Sequence, residues 1–291
     1  MHAHDDGELT QEQIEAIAVR VLATYDERTQ ISSIARQIPG FDLGAAYQVC
    51  AKVRKLREAR GERTIGRKLG FTNRNIWEEY KVYAPIWNYV YDTTVRQISP
   101  EGATFDMGLV VEPRLEPEIT LALKHAPEPG MDERALMDCI AWVAHGYEVV
   151  QSLFPGWIFE PADTVAAFGL HGALLLGPRH EITQGNRDIW FGRLTAFEVA
   201  LFRNEQLVDR GHARNVLGGP LSALRNAVDV IAADPFNPPI AAGEFVTTGT
   251  VTRAFPMLEG DTWRSQFSGA PFEGLLLILG RNAGSAAPHL I

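Results

Sequence analysis

The sequence predicts an α+β fold, with a helical N-terminal segment followed by a β-rich body of mixed strands. Three observations lead there. Residues 10–60 carry two amphipathic helical patterns, the middle of the chain breaks into short apolar stretches punctuated by glycine, and residues 244–279 are rich in Thr, Val, Phe and Leu. The division falls at residue 62, giving 1–62 and 63–291 as parts of one continuous unit.

In the first element, Thr10 and Gln13 have capping-box spacing, and Ile14, Ile17, Ala18, Val21, Leu22 and Tyr25 follow at helical intervals. Pro39-Gly40 breaks the pattern. Asp42 caps a second helix with Leu43, Tyr47, Cys50 and Val53 on one stripe. Gly66, Gly70 and Pro85 then mark short stretches. Residues 115–123 read as a strand. Asp132 caps a helix running through Leu136, Ile140, Val143 and Tyr147 to Glu148. Residues 173–176 read as a buried strand, and 195–202 with 206–209 as a hairpin about Asn204. Pro220 starts a helix over 221–232. Successive strands fill 244–279, and the Ala-Gly-Ser stretch at 283–287 reads as a loose tail.

The composition excludes several classes of function. The 291 residues include 27 Lys plus Arg and 36 Asp plus Glu, so the net charge is 27 − 36 = −9 with histidine neutral. An acidic chain without a basic cluster is a poor nucleic-acid binder. Apolar residues at 46% are too many for a disordered chain. The longest apolar runs, such as 275–279, fall far short of the ~18 residues that span a bilayer, so no membrane role is expected. Residues 1–8 are polar, without a signal core. The two cysteines, Cys50 and Cys139, lie in apolar helical patterns and read as buried thiols of a reducing cytoplasm.

The sharpest local feature is Glu116-Pro117-Glu118. On an extended strand the two glutamates share a face with Thr120, while Leu115, Ile119 and Leu121 share the other. Their Cα atoms stand roughly 6.5–7 Å apart, close enough for both carboxylates to reach one hard cation. The alternative is a solvated strand face. Glu148, beside an apolar stretch, is a third acid, whose alternative is an exposed helix end. An all-oxygen set favours magnesium, calcium or manganese over zinc or copper. His145 and His171 are acid–base groups or packed, hydrogen-bonded side chains. His2 and His4 lie in a polar terminus. Trp77, Trp87, Trp142 and Trp157 read as core or interface, and Phe154-Pro155-Gly156-Trp157 as a buried loop, a subunit contact or a pocket wall.

The stretch Gly66-Arg67-Lys68-Leu69-Gly70-Phe71-Thr72 resembles the G-x-K-x-G-x-T motif of the 2-keto-4-pentenoate hydratases and 4-oxalocrotonate decarboxylases, within the fumarylacetoacetate hydrolase superfamily. The likeness continues at Pro85 to Asp92, at Arg114-Leu115-Glu116-Pro117-Glu118-Ile119 and at His145 to Glu148. It returns at Asn215-Val216-Leu217-Gly218-Gly219-Pro220-Leu221, at Ala242 to Thr250 and at Glu259-Gly260-Asp261. The resemblance implies a fumarylacetoacetate-hydrolase-like catalytic body with one Mg2+ or Mn2+ held by Glu116, Glu118 and Glu148. It implies Lys68 as the active-site lysine, Asp92 as an acid near the substrate, and Thr248, Gly249 and Thr250 as the loop beside the substrate carboxylate. From the residues alone, Lys68 also reads as a surface lysine after a turn, Asp92 as a turn cap, and 248–250 as ordinary strand threonines.

The expected activity is metal-dependent hydration of a 2-hydroxydienoate or 2-oxoalkenoate in aromatic-compound catabolism. The alternatives are a 2-oxo acid decarboxylase, then an acylpyruvate carbon–carbon hydrolase, or a non-catalytic 2-oxo acid binding subunit. The resemblance also implies a homodimer or higher homo-oligomer, with a complex with a related decarboxylase or hydratase as a further option. The chain departs from the family at Gln151 and Leu153, where relatives carry an acid and an arginine. It departs again at Thr164-Val165-Ala166-Ala167-Phe168-Gly169, set against an Ala-Asp-Asn stretch. Glu78 and Glu79 have no neighbouring histidine of the kind hydrolytic relatives use to activate water.

Overall fold

The computed structural model describes residues 8–281; the tail at 283–287, His2 and His4 lie outside them. Thr10 closes the capping box with Gln13 and starts α1 (Gln11–Glu27). Ser33 caps α2 (Ile34–Gln37), a short turn without a sequence signature. The Asp42 carboxylate accepts from Ala45 N–H and opens α3 (Leu43–Ala59). β1 (Thr64–Gly70), α4 (Trp77–Tyr80), β2 (Ile86–Tyr91), β3 (Val95–Gln97), β4 (Ala103–Asp106), β5 (Arg114–Leu123), α5 (Glu133–Cys139), β6 (Ile140–Val150), α6 (Pro161–Ala166) and β7 (His171–Glu181) follow. The chain continues through α7 (Arg187–Ala196), β8 (Glu198–Arg203), β9 (Gln206–His212), α8 (Pro220–Ala232), β10 (Phe245–Thr247), β11 (Phe255–Pro256), β12 (Thr262–Ser268) and β13 (Leu276–Gly280).

The strands form two sheets. The larger runs β2-β1-β10-β5-β6-β7-β3, with β11 also paired to β5, and the smaller runs β4-β13-β12-β8-β9. They face each other through Leu115, Tyr147, Val149 and Leu175 of one and Leu201, Trp263 and Leu277 of the other, all buried. The N-terminal helices do not stand alone: Ile14, Val21, Val49 and Val53 share a cluster with Val150, Phe154 and Val165. That joint is locked by Asp163, fully buried. Its carboxylate accepts from the Ser33 hydroxyl (2.5 Å) and from the backbone N–H groups of Ile34 (2.8 Å), Ala35 (3.0 Å) and Glu160 (2.9 Å). Among the described residues no helix is long and apolar enough to cross a membrane.

The structure corrects one element at a decisive place. The helix begun at Asp132 stops at Cys139, and the chain from Ile140 onward is a strand that carries Glu148 in its last turns of pleat. Ile140, Val143 and Tyr147 fall at helical intervals by coincidence. β6 is covered on both faces, so the alternation that announces a half-buried strand is missing. Its β-branched and aromatic content was the better guide. Gly66 and Gly70 likewise lie within β1 and not in turns. α7 was not foreseen: residues 195 and 196, expected as strand, complete that helix, and the hairpin proper is β8 and β9 about Asn204 and Glu205.

Candidate active site

Strand register brings the acids together. In the β5–β6 ladder Glu116 stands directly opposite Glu148, and Glu118 opposite Gly146. Paired residues project to the same face, and Glu118 is two positions from Glu116, so all three carboxylates share one side of the sheet. An oxygen from each lies within 4.8 Å of the others. The same row extends sideways: Thr120 pairs with Thr247 of β10, and Thr247 with Lys68 of β1. Lys68 therefore reaches the acids from two strands away. It is buried, contrary to the surface-lysine alternative.

The Lys68 ammonium donates to Gly169 O at 2.8 Å and stands 3.2 Å from Glu148 Oε2. Gly169 sits between Phe168 and Leu170, and all three residues have positive φ (60°, 60° and 66°). This tight turn needs a residue without Cβ at its centre, because a Cβ there would lie 2.9 Å from Lys68 Cδ. The late loop behaves similarly. Gly249, at φ 89°, donates its N–H to Glu118 Oε2 at 2.9 Å, and a Cβ would sit 1.9 Å from Thr72 Oγ1. Thr248 donates its N–H to Ile119 O at 3.0 Å, fixing the loop on β5. Thr250 lines the small cavity, about 20 Å³, that Lys68 and Glu116 also line. Phe71, Ile76, Tyr80, Trp157 and Leu170 close that cavity with apolar surface.

Charge in this place is unbalanced. Three carboxylates and one ammonium leave −2 in the interior, and each pair of acids at such a distance repels by about 3 kcal/mol at an effective dielectric of 20. Burial pushes the Glu118 carboxyl well above its usual range, and the Glu148 and Glu116 charges push it further. Burial also raises Glu116, against the pull of Lys68. Glu148 goes the other way: burial opposes its charge, but Lys68 and His171 together hold it ionised below the ordinary carboxylate range. For Lys68, burial disfavours the ammonium, and the three glutamates outweigh it, so the lysine stays charged.

A divalent ion fits this donor set. Glu118 has one oxygen bound to Gly249 N–H, and its Oε1 is buried without a hydrogen-bond partner. Glu148 has Oε1 bound to His171, and its Oε2, though near Lys68, receives no hydrogen bond of proper geometry. Two orphaned carboxyl oxygens beside a third carboxyl group are an incomplete arrangement for the protein alone. They are a ready set for an oxygen-loving cation such as Mg2+ or Mn2+.

Sequence reasoning missed how His171 takes part. Its Nδ1 lies 2.7 Å from Glu148 Oε1 and its Nε2 2.9 Å from Thr94 Oγ1. An ionised carboxylate only accepts, so Nδ1 carries the proton. Burial lowers the His171 pKa against the opposing pull of Glu148, and the Thr94 hydroxyl that meets Nε2 also lies 3.0 Å from Tyr91 O, so the ring is held at both nitrogens. His171 thereby leaves Glu148 one oxygen to offer. His171→Ala is expected to weaken Mn2+ binding roughly ten- to a hundredfold, read by calorimetric titration, with the melting temperature checked in parallel. His145 is the packed alternative: its ring meets Glu118 O at 3.1 Å and Ser265 Oγ at 2.9 Å.

Asp92 does not join the cluster. Its carboxylate accepts from Arg63 N–H (3.0 Å) and Nε (2.9 Å), tying the end of β2 to the residue before β1, and it lines a different cavity with Ile65 and Trp142. The residues at which the chain departs from the family pattern have structural places. Gln151 Oε1 accepts from Val111 N–H at 3.1 Å, and Leu153 is core. Glu79 pairs with Arg114 at 3.3 Å on the surface.

No protein-family model matches the chain. Curated homologues do. A 2-hydroxyhexa-2,4-dienoate hydratase from Comamonas testosteroni is 26% identical over 249 residues, covering 85% of this chain and 91% of the homologue. A 4-oxalocrotonate decarboxylase from Pseudomonas sp. (strain CF600) is 26% identical over 263 residues, covering 90% and 95%. Among solved structures, the 4-oxalocrotonate decarboxylase from Pseudomonas putida G7, complexed with magnesium and adipate, superposes with a TM-score of 0.84 at 24% identity. That match covers 93% of this chain and 98% of the other, and it establishes a shared fold.

Proposed function

We infer that this chain, a homologue of the 2-keto-4-pentenoate hydratases and 4-oxalocrotonate decarboxylases, is a metal-dependent lyase that adds water to a short 2-hydroxydienoate or 2-oxoalkenoate in aromatic-compound catabolism. One observation carries the reading: three glutamates converge on a single buried face with two oxygens unpartnered and one lysine opposite. Glu116, Glu118 and Glu148 would hold Mg2+ or Mn2+. When bound, the ion supplies Lewis acidity to the carboxylate and 2-oxo oxygens of such an acid, favouring the enolate.

The rest is the work of the chain. Lys68, kept charged by the glutamates and aimed by Gly169 O, donates to the substrate carboxylate or to the enol oxygen as charge builds there. Gly249 and Thr250 place the late loop beside Glu118 and the cavity, with the Thr250 hydroxyl donating to Thr252 O at 3.1 Å and so fixing the loop's shape beside the substrate carboxylate. Phe71, Tyr80 and Trp157 exclude bulk water from the far end, so that the water added is one the site has placed. The enzyme is proposed to act in the cytoplasm, consistent with two buried free thiols, and as a homodimer or larger homo-oligomer.

The test is product identity. Incubation of the purified chain with 2-hydroxypenta-2,4-dienoate and Mg2+ is expected to consume the dienol absorbance and yield a 4-hydroxy-2-oxo acid. Carbon dioxide released from a 4-oxalocrotonate-type substrate, with the dienol untouched, would instead make the chain a decarboxylase. Turnover of neither would overturn the lyase reading.

A further inference from the structure

A second, roomier cavity lies away from the glutamates. It measures about 550 Å³, within the roughly 300–1,000 Å³ usual for small-molecule sites, and is walled by α1, the end of α3, β3, β4 and β7. It shares no lining residue with the cavity over Lys68. Its apolar wall comes from Phe105, Leu109, Val110 and Leu175. Its charges are four arginines, Arg28, Arg57, Arg60 and Arg96, against Asp26, Glu62 and Asp106, which gives 4 − 3 = +1 in a chain of net −9.

The pairing within the cavity shows which charge is spare. Arg57 is buried and pairs with Glu62, and Arg60 pairs with Asp26 at 2.6 Å. Asp106 accepts from Gly108 N–H at 2.9 Å. Arg28 and Arg96 have no carboxylate partner among the described residues; Arg96 donates only to Thr104 O, at 3.1 Å. Unpaired guanidinium groups over an apolar wall match a carboxylate with an apolar body.

The cavity also touches the metal cluster through its wall. Thr94 lines it, and the Thr94 hydroxyl bonds His171 Nε2, whose Nδ1 holds Glu148. A second link runs from Arg57, 5.5 Å from the Phe168 ring, to the turn whose Gly169 carbonyl holds Lys68. We propose that this cavity binds a small organic monocarboxylate at a site separate from the catalytic pocket, and that its occupancy is transmitted to Glu148 through Thr94 and His171. The proposal stands whichever reaction the catalytic pocket performs.

The probe is sodium benzoate, which has no 2-oxo group with which to chelate a metal. Titrated calorimetrically into the full chain stripped of metal, it is expected to bind saturably, once per chain. The double variant Arg28→Gln/Arg96→Gln should bind at least tenfold more weakly, and Lys68→Met should bind as the parent does. Saturating benzoate should shift the Mn2+ dissociation constant at least threefold, and Thr94→Val should remove that shift while still binding benzoate. Circular dichroism establishes that each variant is folded. Absence of saturable binding, as when a second copy of the chain fills the cavity, overturns the site. So does binding that survives the arginine changes and is lost with Lys68→Met, since the benzoate would then sit in the catalytic pocket. A Mn2+ affinity indifferent to benzoate overturns the coupling.

Discussion

Glu118→Gln is expected to lower Mn2+ affinity at least a hundredfold and to abolish turnover, without unfolding the protein. Glutamine keeps the shape of the side chain, and its carbonyl can still accept from Gly249 N–H. Its amide nitrogen then takes the place of Oε1, the oxygen that has no partner. A donor faces the cation where an anionic acceptor stood, and the fixed loop prevents the amide from turning without breaking the Gly249 bond. Stability of the metal-free protein should hold or rise slightly, because one of three mutually repelling buried acids is gone. Calorimetric Mn2+ titration and thermal unfolding followed by circular dichroism separate the two effects. Unchanged Mn2+ affinity in a folded variant would show that Glu118 is no ligand.

Lys68→Met is expected to have the opposite split. A methionine retains the apolar stem and removes the cation, so the glutamates lose their one compensating charge and the metal-free protein melts lower. Metal binding is retained or strengthened, since a positive neighbour of the ion has been deleted. Turnover falls by roughly two to three orders of magnitude, the usual loss when one donor to a developing oxyanion is removed. The comparison is kcat at saturating Mg2+ against the Mn2+ dissociation constant. A variant that loses metal and turnover together would place Lys68 in the support of the carboxylates and not in the chemistry.

How much of this was legible in the sequence depends on the range of the interaction. The capping of α1 and α3, the strand at Glu116-Pro117-Glu118 and the helix started by Pro220 are local events, and local signals announced them. Glu148 stood out as a third acid beside an apolar stretch but was assigned to the wrong element, because a strand buried on both faces imitates helical spacing. His171 could be read only as a histidine among apolar neighbours, since its partners Glu148 and Thr94 are 23 and 77 positions away and meet it through tertiary packing. Asp92 illustrates the reverse: the motif position was present, and its geometry belongs to Arg63. The Lys68 ammonium gave no hint of burial, because its counter-charges come from two strands that are not its sheet neighbours.

The opposition of Glu116 and Glu148 across the β5–β6 ladder has one more consequence. Slipping β6 against β5 by a single position would turn Glu148 to the face opposite Glu116 and Glu118; slipping it by two would part the opposed acids by roughly 7 Å. Cation capture therefore proofreads the alignment of β5 with β6. Lengthening the exposed connection at residues 128–130 should be tolerated freely so long as that alignment survives, and otherwise should fail all at once, with ion uptake as its earliest casualty.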